Sequence, residues 1–249
     1  MAIKQLPSFH FDGGANLTGA GPDSLATYLN QMESHLRTVA AGRGDVQLTI
    51  NSGLEFELGP VDGGDPVGFL FANGALRAME ETVSMDLADL VTGDILPSTW
   101  YYVYALATST GLAFEAKTDA PSTIPGSEYV VPLRVDKLGK LAAVQVTKRK
   151  FSYLSRKNVD LPYTLSGRTT LSLSKFIPAT AREVNISISA GAGTTIRVFV
   201  KGQKSSYEYA QDDQKSFEMP LGGETEIEVT KEGTGTCYVQ VLGWIDGNL

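Results

Sequence analysis

Residues 184–200 read V-N-I-S-I-S-A-G-A-G-T-T-I-R-V-F-V. Val184, Ile186 and Ile188 alternate with polar residues, a glycine-containing turn follows, and the alternation resumes at Ile196. Because successive side chains of a strand point to opposite faces of a sheet, this pattern predicts two strands, each with one buried face. The pattern recurs through the C-terminal region and predicts a mainly β fold.

From Phe151 onward, apolar residues at every second position alternate with glycine-rich turns. Seven or eight strands fit into the roughly 95 residues concerned, a spacing typical of sandwiches and jelly rolls. We therefore expect a jelly-roll-like β-sandwich over residues 151–249. Cys237 is predicted to be a small core residue on an inward face of this sandwich.

The preceding region is predicted to be an antiparallel β domain over residues 43–150. Two alternating segments flank Asn51-Ser52-Gly53 and predict a hairpin. Further strands are expected at 67–71 and at 83–87, where Val83, Met85 and Leu87 would form one dry face. Residues 72–82 could be helical on local propensity, but Asn73-Gly74 favours a hairpin.

One amphipathic helix is predicted between Pro22 and Gly42, within an N-terminal arm over residues 1–42. Its apolar residues recur at steps of three and four, which places them on one stripe. That stripe could pack on its own domain, or it could form a coiled-coil seam or an anchor in a larger assembly. Its residues are Leu25, Tyr28, Leu29, Met32, Leu36 and Val39.

Composition argues against several classes of function. The 249-residue chain has a formal net charge of -7 and a pI near 4.9, which disfavours binding to nucleic acid. The basic run Lys148-Arg149-Lys150 is interpreted as a solvated connector. No apolar run approaches the roughly 18 residues of a membrane helix, and the first residues lack the core of a signal peptide. We therefore expect neither membrane insertion nor export by that route.

No catalytic, cofactor-binding or metal site is predicted, and the protein is not expected to be an enzyme. A single cysteine and two histidines, His10 and His35, make neither a disulfide nor a structural zinc site. Phosphate-binding, dinucleotide-binding and zinc-hydrolase motifs are missing from the sequence. Many acidic residues, such as Glu226 and Glu228, alternate with core positions and belong to a solvent-facing side.

An aromatic strand stands out from Ser98 to Leu106, which reads S-T-W-Y-Y-V-Y-A-L. Neither of its two faces is polar, so we expect both to be covered. Trp100, Tyr102 and Tyr104 are predicted to fill the core of their own domain. Tyr101 and Val103 are predicted to lie at a seam between subunits.

This strand is followed by G-L-A-F-E-A-K-T, by the proline loop D-A-P-S-T-I-P-G, by a strand with Arg134 and by the glycine hairpin V-D-K-L-G-K-L-A-A-V. The combination, from about Asp94 to Phe151, resembles a module of virion structural proteins of tailed bacteriophages and prophages. Relatives often have a glycine where this chain has V-V-P-L-R-V, and Pro132 predicts an edge strand or a bulge there.

The resemblance implies a non-enzymatic virion protein: a head or tail fibre, a spike, or a head-decorating or tail-associated protein. Such proteins are commonly homotrimers, which would give the stripe, Tyr101 and Val103 a partner in another copy. The resemblance further implies assembly in the host cytoplasm, localisation in the virion and contacts with other capsid or tail proteins, with host surface glycan as a further partner.

Two alternatives stay open on the sequence. A carbohydrate-binding module would use surface aromatics, for which Tyr207, Tyr209 and Trp244 are the candidates. A glycan hydrolase of the tailspike kind would need a pair of carboxylates. Such a hydrolase would normally be longer and would show β-helix repeats, which this sequence lacks.

Overall fold

The computed structural model describes residues 46–61, 66–71, 75–109, 111–121, 127–147, 149–161, 165 and 167–247. This part of the chain is mainly β and contains several antiparallel sheets, as the alternating pattern predicts. The N-terminal arm, with the helix predicted between Pro22 and Gly42 and its stripe of six apolar residues, lies outside the described residues.

The strands before residue 150 are β1 Val46–Ile50, β2 Glu55–Pro60, β3 Val67–Leu70, β4 Leu76–Met79, β5 Val83–Asp86, β6 Trp100–Ala107, β7 Leu112–Lys117, β8 Ser127–Arg134 and β9 Val144–Thr147. The strands after it are β10 Lys150–Val159, β11 Thr169–Ser172, β12 Ala181–Ala190, β13 Thr195–Val200, β14 Glu208–Gln211, β15 Gln214–Pro220, β16 Glu226–Glu232 and β17 Cys237–Asp246. One short helix, α1, spans Leu87–Leu90.

The hairpin around Asn51-Ser52-Gly53 is confirmed. Strands β1 and β2 pair antiparallel with Leu48 opposite Leu58, and Gly53 takes a left-handed conformation with φ of 60°. Strand β5 joins β2 to complete a three-stranded sheet. The preferred hairpin after residue 67 is also confirmed, because β3 pairs antiparallel with β4.

The dry face expected at Val83, Met85 and Leu87 is only partly present. Val83 is exposed, and Leu87 is buried from the first turn of helix α1 rather than from a strand. Asp86 ends the strand and caps this helix, because its carboxylate accepts a hydrogen bond of 2.8 Å from the backbone nitrogen of Ala88. Because of this cap, Leu87, which was predicted to end the strand, begins the helix instead.

Strand β6 is the centre of a three-stranded sheet ordered β7-β6-β8. The register between β6 and β8 shifts by one residue, since Val103 faces Val131 and Tyr104 faces Tyr129. Pro132 thus lies on an edge strand beside a bulge, which is where a residue without a backbone N–H is tolerated.

The strands from β10 to β17 form two sheets. One has five strands in the order β15-β12-β17-β10-β9, and the other has four in the order β11-β16-β13-β14. The eight strands after residue 150 agree with the seven or eight predicted. Their inward residues, including Ile186, Ile196, Ile227 and Val241, are fully buried and belong to one apolar core. Cys237 is partly buried and packs against this core.

Strand β9 pairs antiparallel with β10 and so extends the five-stranded sheet. The pairing therefore runs across the boundary expected between residues 150 and 151. No helix among the described residues is long and apolar enough to span a membrane.

Candidate functional site

Both faces of strand β6 are covered within a single chain, although a second subunit was expected on one of them. Tyr101 and Val103 are fully buried in the main apolar core of a single chain, together with Ala105. The hydroxyl of Tyr101 accepts a hydrogen bond of 2.8 Å from the backbone nitrogen of Leu96. The prediction that Tyr101 and Val103 meet a second subunit is therefore wrong, because both side chains are completely buried within one chain.

The other face of β6 carries a separate cluster, the aromatic seam, made of Trp100, Tyr102, Tyr104 and Tyr129. The ring of Tyr129 lies 6.2 Å from that of Tyr102 and 6.1 Å from that of Tyr104, measured between centroids. Tyr102 and Tyr104 are buried, as expected, but they lie with Tyr129 in a cluster separate from the main core.

Hydrogen bonds join the aromatic seam to the C-terminal region of the same chain. The Tyr129 hydroxyl donates to the Asp246 carboxylate at 2.6 Å and lies 3.3 Å from the Thr180 hydroxyl. Trp100 Nε1 donates to the carbonyl of Ser174 at 2.9 Å. The Tyr102 hydroxyl accepts from the backbone nitrogen of Ala179 at 3.2 Å. The partner of this face is thus another part of the chain, and tyrosine suits it because its ring is buried while its hydroxyl is satisfied.

Trp244 was predicted to contact glycan, and that prediction is wrong because the side chain is only 1% exposed. Its ring stacks on Phe151 at 4.7 Å and meets Trp100 edge-on at 5.5 Å. The physical reason is a register shift between β12 and β17, in which Ile186 faces Val241 while Val184 faces Trp244. The extra residue changes which positions of β17 face inward.

Tyr207 and Tyr209, the tyrosine pair, are 47% and 45% exposed, as a surface role requires. Strand β14 is an edge of the four-stranded sheet, and Ala210 on it faces the core. Tyr209 alternates with Ala210 on this strand and so faces away from the core, and Tyr207 lies just before the strand. Of the three candidate glycan residues, Tyr207 and Tyr209 are exposed and Trp244 is not.

Neighbouring side chains hold both rings in place. The Tyr207 hydroxyl donates to the carbonyl of Glu218 at 2.9 Å, and its ring lies 5.9 Å from that of Phe217. The Tyr209 ring has the Lys215 ammonium 4.8 Å and the Arg197 guanidinium 5.7 Å from its centroid. Such cation–ring contacts are attractive and orient the ring.

Carboxylates complete this surface. Glu208 accepts a hydrogen bond of 2.9 Å from the Tyr209 backbone nitrogen and one of 3.2 Å from Lys215, and these bonds hold the pKa of Glu208 below its usual value. Arg197 lies 3.6 Å from Glu232. The tyrosine pair thus combines half-exposed rings with neighbouring hydrogen-bond donors and acceptors.

Sequence reasoning missed Tyr129 and Asp246 in the seam, and Arg197 and Lys215 beside Tyr209. Tyr129 and Asp246 are 117 positions apart, and no local pattern connects them. Arg197 could have been found, because β13 and β14 were both expected as strands and Arg197 pairs directly with Tyr209.

The tyrosines of the seam predict a pH dependence of stability. Burial is the main cause that raises the pKa of Tyr102, and burial together with the neighbouring Asp246 carboxylate raises the pKa of Tyr129 well above its usual value. A pKa raised on folding contributes stability that is complete below the unfolded value of about 10 and is lost as the pH rises through the folded pKa. We expect the denaturant concentration at the unfolding midpoint to decrease as the pH is raised above about 10. Complete tyrosinate absorbance with unchanged ellipticity would contradict this expectation.

Within the described ranges, no group of three or more histidine, cysteine or acidic side chains is placed so that it could hold a metal ion. Comparison with known proteins adds little. No protein-family model matches the chain, and a search of curated proteins finds no match.

One solved structure that the chain matches is described as a glycoside hydrolase family 43 arabinoxylan arabinofuranohydrolase from Bacillus subtilis in complex with cellotetraose. The identity is 12%, the match covers 82% of this chain and 54% of that chain, and the TM-score is 0.20. The chain thus spans about half the length of that protein. A likeness of this size carries no argument about fold or function.

Proposed function

We propose that the protein is a non-enzymatic structural component of a bacteriophage virion, namely a head or tail fibre, a spike or a decoration protein. It assembles as a homotrimer in the host cytoplasm and contacts other capsid or tail proteins in the finished particle. The subunit contacts proposed are those of the stripe of six apolar residues from Leu25 to Val39.

The aromatic strand supports this proposal through the order of its neighbours. Strands β6, β7 and β8, which carry the sequence that resembles the virion module, pair as one sheet around β6. The segment on which the resemblance rests therefore forms one sheet, as a recurring module would.

The observation that carries the proposal is the strand order that follows this module. Two sheets ordered β10-β17-β12-β15 and β11-β16-β13-β14, with β9 added at one edge, correspond to the order of a jelly roll. We therefore propose a jelly-roll-like sandwich for this region, an architecture used by viral capsid and lectin domains. Because fold alone does not determine function, the proposal depends on the combination of this order with the module.

The hydrogen bonds of the aromatic seam support a structural role. Trp100, Tyr102 and Tyr129 each bond to the C-terminal region, so the module and the two sheets are joined by directional contacts. A component that projects from a particle needs such joints to keep its parts in a fixed relation.

Association with particles tests the proposal. Phage particles from a producing culture, purified on a density gradient, should react with an antibody against this chain, and light scattering of the purified protein should give three times the 26.7 kDa chain mass.

A variant without residues 1–42 should keep its ellipticity but no longer associate with particles. Finding the chain only among free lysate proteins would contradict the virion assignment, and a 26.7 kDa species at micromolar concentration would contradict the trimer.

A second candidate function, carbohydrate binding, is favoured by the exposure of the tyrosine pair. Rings of this kind stack on sugars when they lie on a surface and are held by their neighbours. The two functions are compatible, since a virion protein that attaches to a host would need both.

A further inference from the structure

We propose that the surface around the tyrosine pair binds a carboxylated glycan, with a sugar ring packed on the part of Tyr209 that stays exposed and its carboxylate bound by Arg197 and Lys215. The inference rests on the second candidate function, carbohydrate binding, and names the class of ligand. It adds two cations that the sequence interpretation did not include.

Tyr207 is held in one orientation before any ligand binds. Tyr207 is fixed at its hydroxyl by Glu218 and along its ring by Phe217. Rings that are held before binding lose little conformational freedom when a ligand arrives. Among the described aromatic residues, Tyr238 is also strongly exposed, at 56%, but no ring or cation contact is recorded for it.

Two positive charges lie next to Tyr209. The groups that lie over its ring are both cations, the Lys215 ammonium and the Arg197 guanidinium. Each of these side chains keeps about 40% of its surface exposed, so a ligand can reach them. A carboxylate of a uronic or sialic acid that approaches the exposed part of Tyr209 therefore meets two positive groups.

The carboxylates already near these cations do not prevent such binding. Lys215 pairs with Glu208 at 3.2 Å and Arg197 with Glu232 at 3.6 Å, and each of the four side chains keeps about a third or more of its surface exposed. Exposed ion pairs contribute little free energy, so exchanging one for a ligand carboxylate costs little. Glu208 keeps its bond from the Tyr209 backbone nitrogen and can also accept from sugar hydroxyls.

A nucleic acid fits this surface less well. Single-stranded nucleic acid is bound by aromatic rings along a groove with many cations, and here two cations are accompanied by Glu208 and Glu232. The chain also carries a net charge of -7, which would repel a polyphosphate. A single carboxylate on an otherwise neutral sugar avoids most of this repulsion.

Labelled full-length protein on an array of matched carboxylated and neutral glycans tests the proposal, with a short single-stranded DNA as a further probe. Binding should be confined to carboxylated glycans and should weaken as salt rises. In titrations with the best of them, Arg197→Gln and Lys215→Gln should each lower the affinity about ten-fold or more, because each removes a hydrogen bond to a charged group. Tyr209→Ala should abolish detectable binding.

Matched variants exclude unspecific effects. Tyr238→Ala removes a tyrosine of similar exposure on β17, and Lys137→Gln removes an exposed cation of the middle region. Both should bind as the unchanged protein does, and all variants should keep the same unfolding midpoint.

Three other results would contradict the proposed ligand. Equal binding of neutral glycans, or full affinity in Arg197→Gln, overturns the carboxylated ligand and leaves carbohydrate binding standing. Binding of no glycan overturns both. A preference for the DNA probe assigns the surface to nucleic acid instead. None of these results bears on particle association, which is measured separately and should be retained in Tyr209→Ala.

Discussion

Replacing Trp244 with alanine is expected to lower the free energy of unfolding by about 3–5 kcal/mol, the usual cost of truncating a fully buried large aromatic side chain. The ring is 1% exposed and contacts Phe151, Tyr153 and Trp100. Its removal leaves a cavity where the five-stranded sheet meets the aromatic strand. Denaturant unfolding followed by far-UV ellipticity measures the loss.

Tyr238→Ala is the matched control for this prediction. Tyr238 lies on the same strand, β17, but is 56% exposed, so its truncation should change the free energy of unfolding by about 0.5 kcal/mol or less. Equal stability of Trp244→Ala and Tyr238→Ala would mean that Trp244 does not fill the core.

Tyr129→Phe is expected to cost about 1.5–3 kcal/mol, the range for hydrogen bonds to charged groups. The substitution keeps the ring but removes the donor that lies 2.6 Å from the Asp246 carboxylate, which is itself buried. A buried carboxylate that loses a donor is poorly solvated, and this desolvation is the source of the cost. The loss should appear as a lower denaturant midpoint with an unchanged slope.

Tyr104→Phe provides the comparison, because the buried hydroxyl of Tyr104 has no hydrogen-bond partner among the described residues. Removing it should be neutral or slightly stabilising. A double variant with Asp246→Asn would further show whether the cost of Tyr129→Phe depends on the charge. If Tyr104→Phe and Tyr129→Phe are equally destabilised, the bond to Asp246 is not what holds the seam.

The regular parts of the fold could be predicted because they depend on local sequence. Alternation with a period of two and glycine turns located the hairpin of β1 and β2 and the seven strands from β11 to β17. The four-residue helix α1 was missed because a single cap residue, Asp86, decides it. Patterns of ten residues or fewer cannot show such a short exception.

The candidate site depended on features that local sequence does not contain. The inward position of Trp244 follows from one extra residue on β17 opposite β12, and the alternation before it gives no sign of that residue. Both faces of β6 were correctly expected to be covered, but what covers each one depends on partners such as Asp246, far away along the chain. The exposure of Tyr207 and Tyr209 agrees with their choice as surface aromatics, but that choice rested on residue type, which also selected the buried Trp244.

Strand β17 pairs with both β10 and β12 inside the five-stranded sheet, although it is the last strand described along the chain. During synthesis on the ribosome, β10 and β12 emerge first and lack the strand that lies between them. Each then presents an unpaired edge, the kind of surface through which nascent chains associate wrongly. The same late strand carries Trp244 and Asp246, so the sheet and its joint to the aromatic strand can be completed only after β17 has left the exit tunnel. Production of this protein should therefore depend on protection of its nascent chain until β17 has emerged and paired.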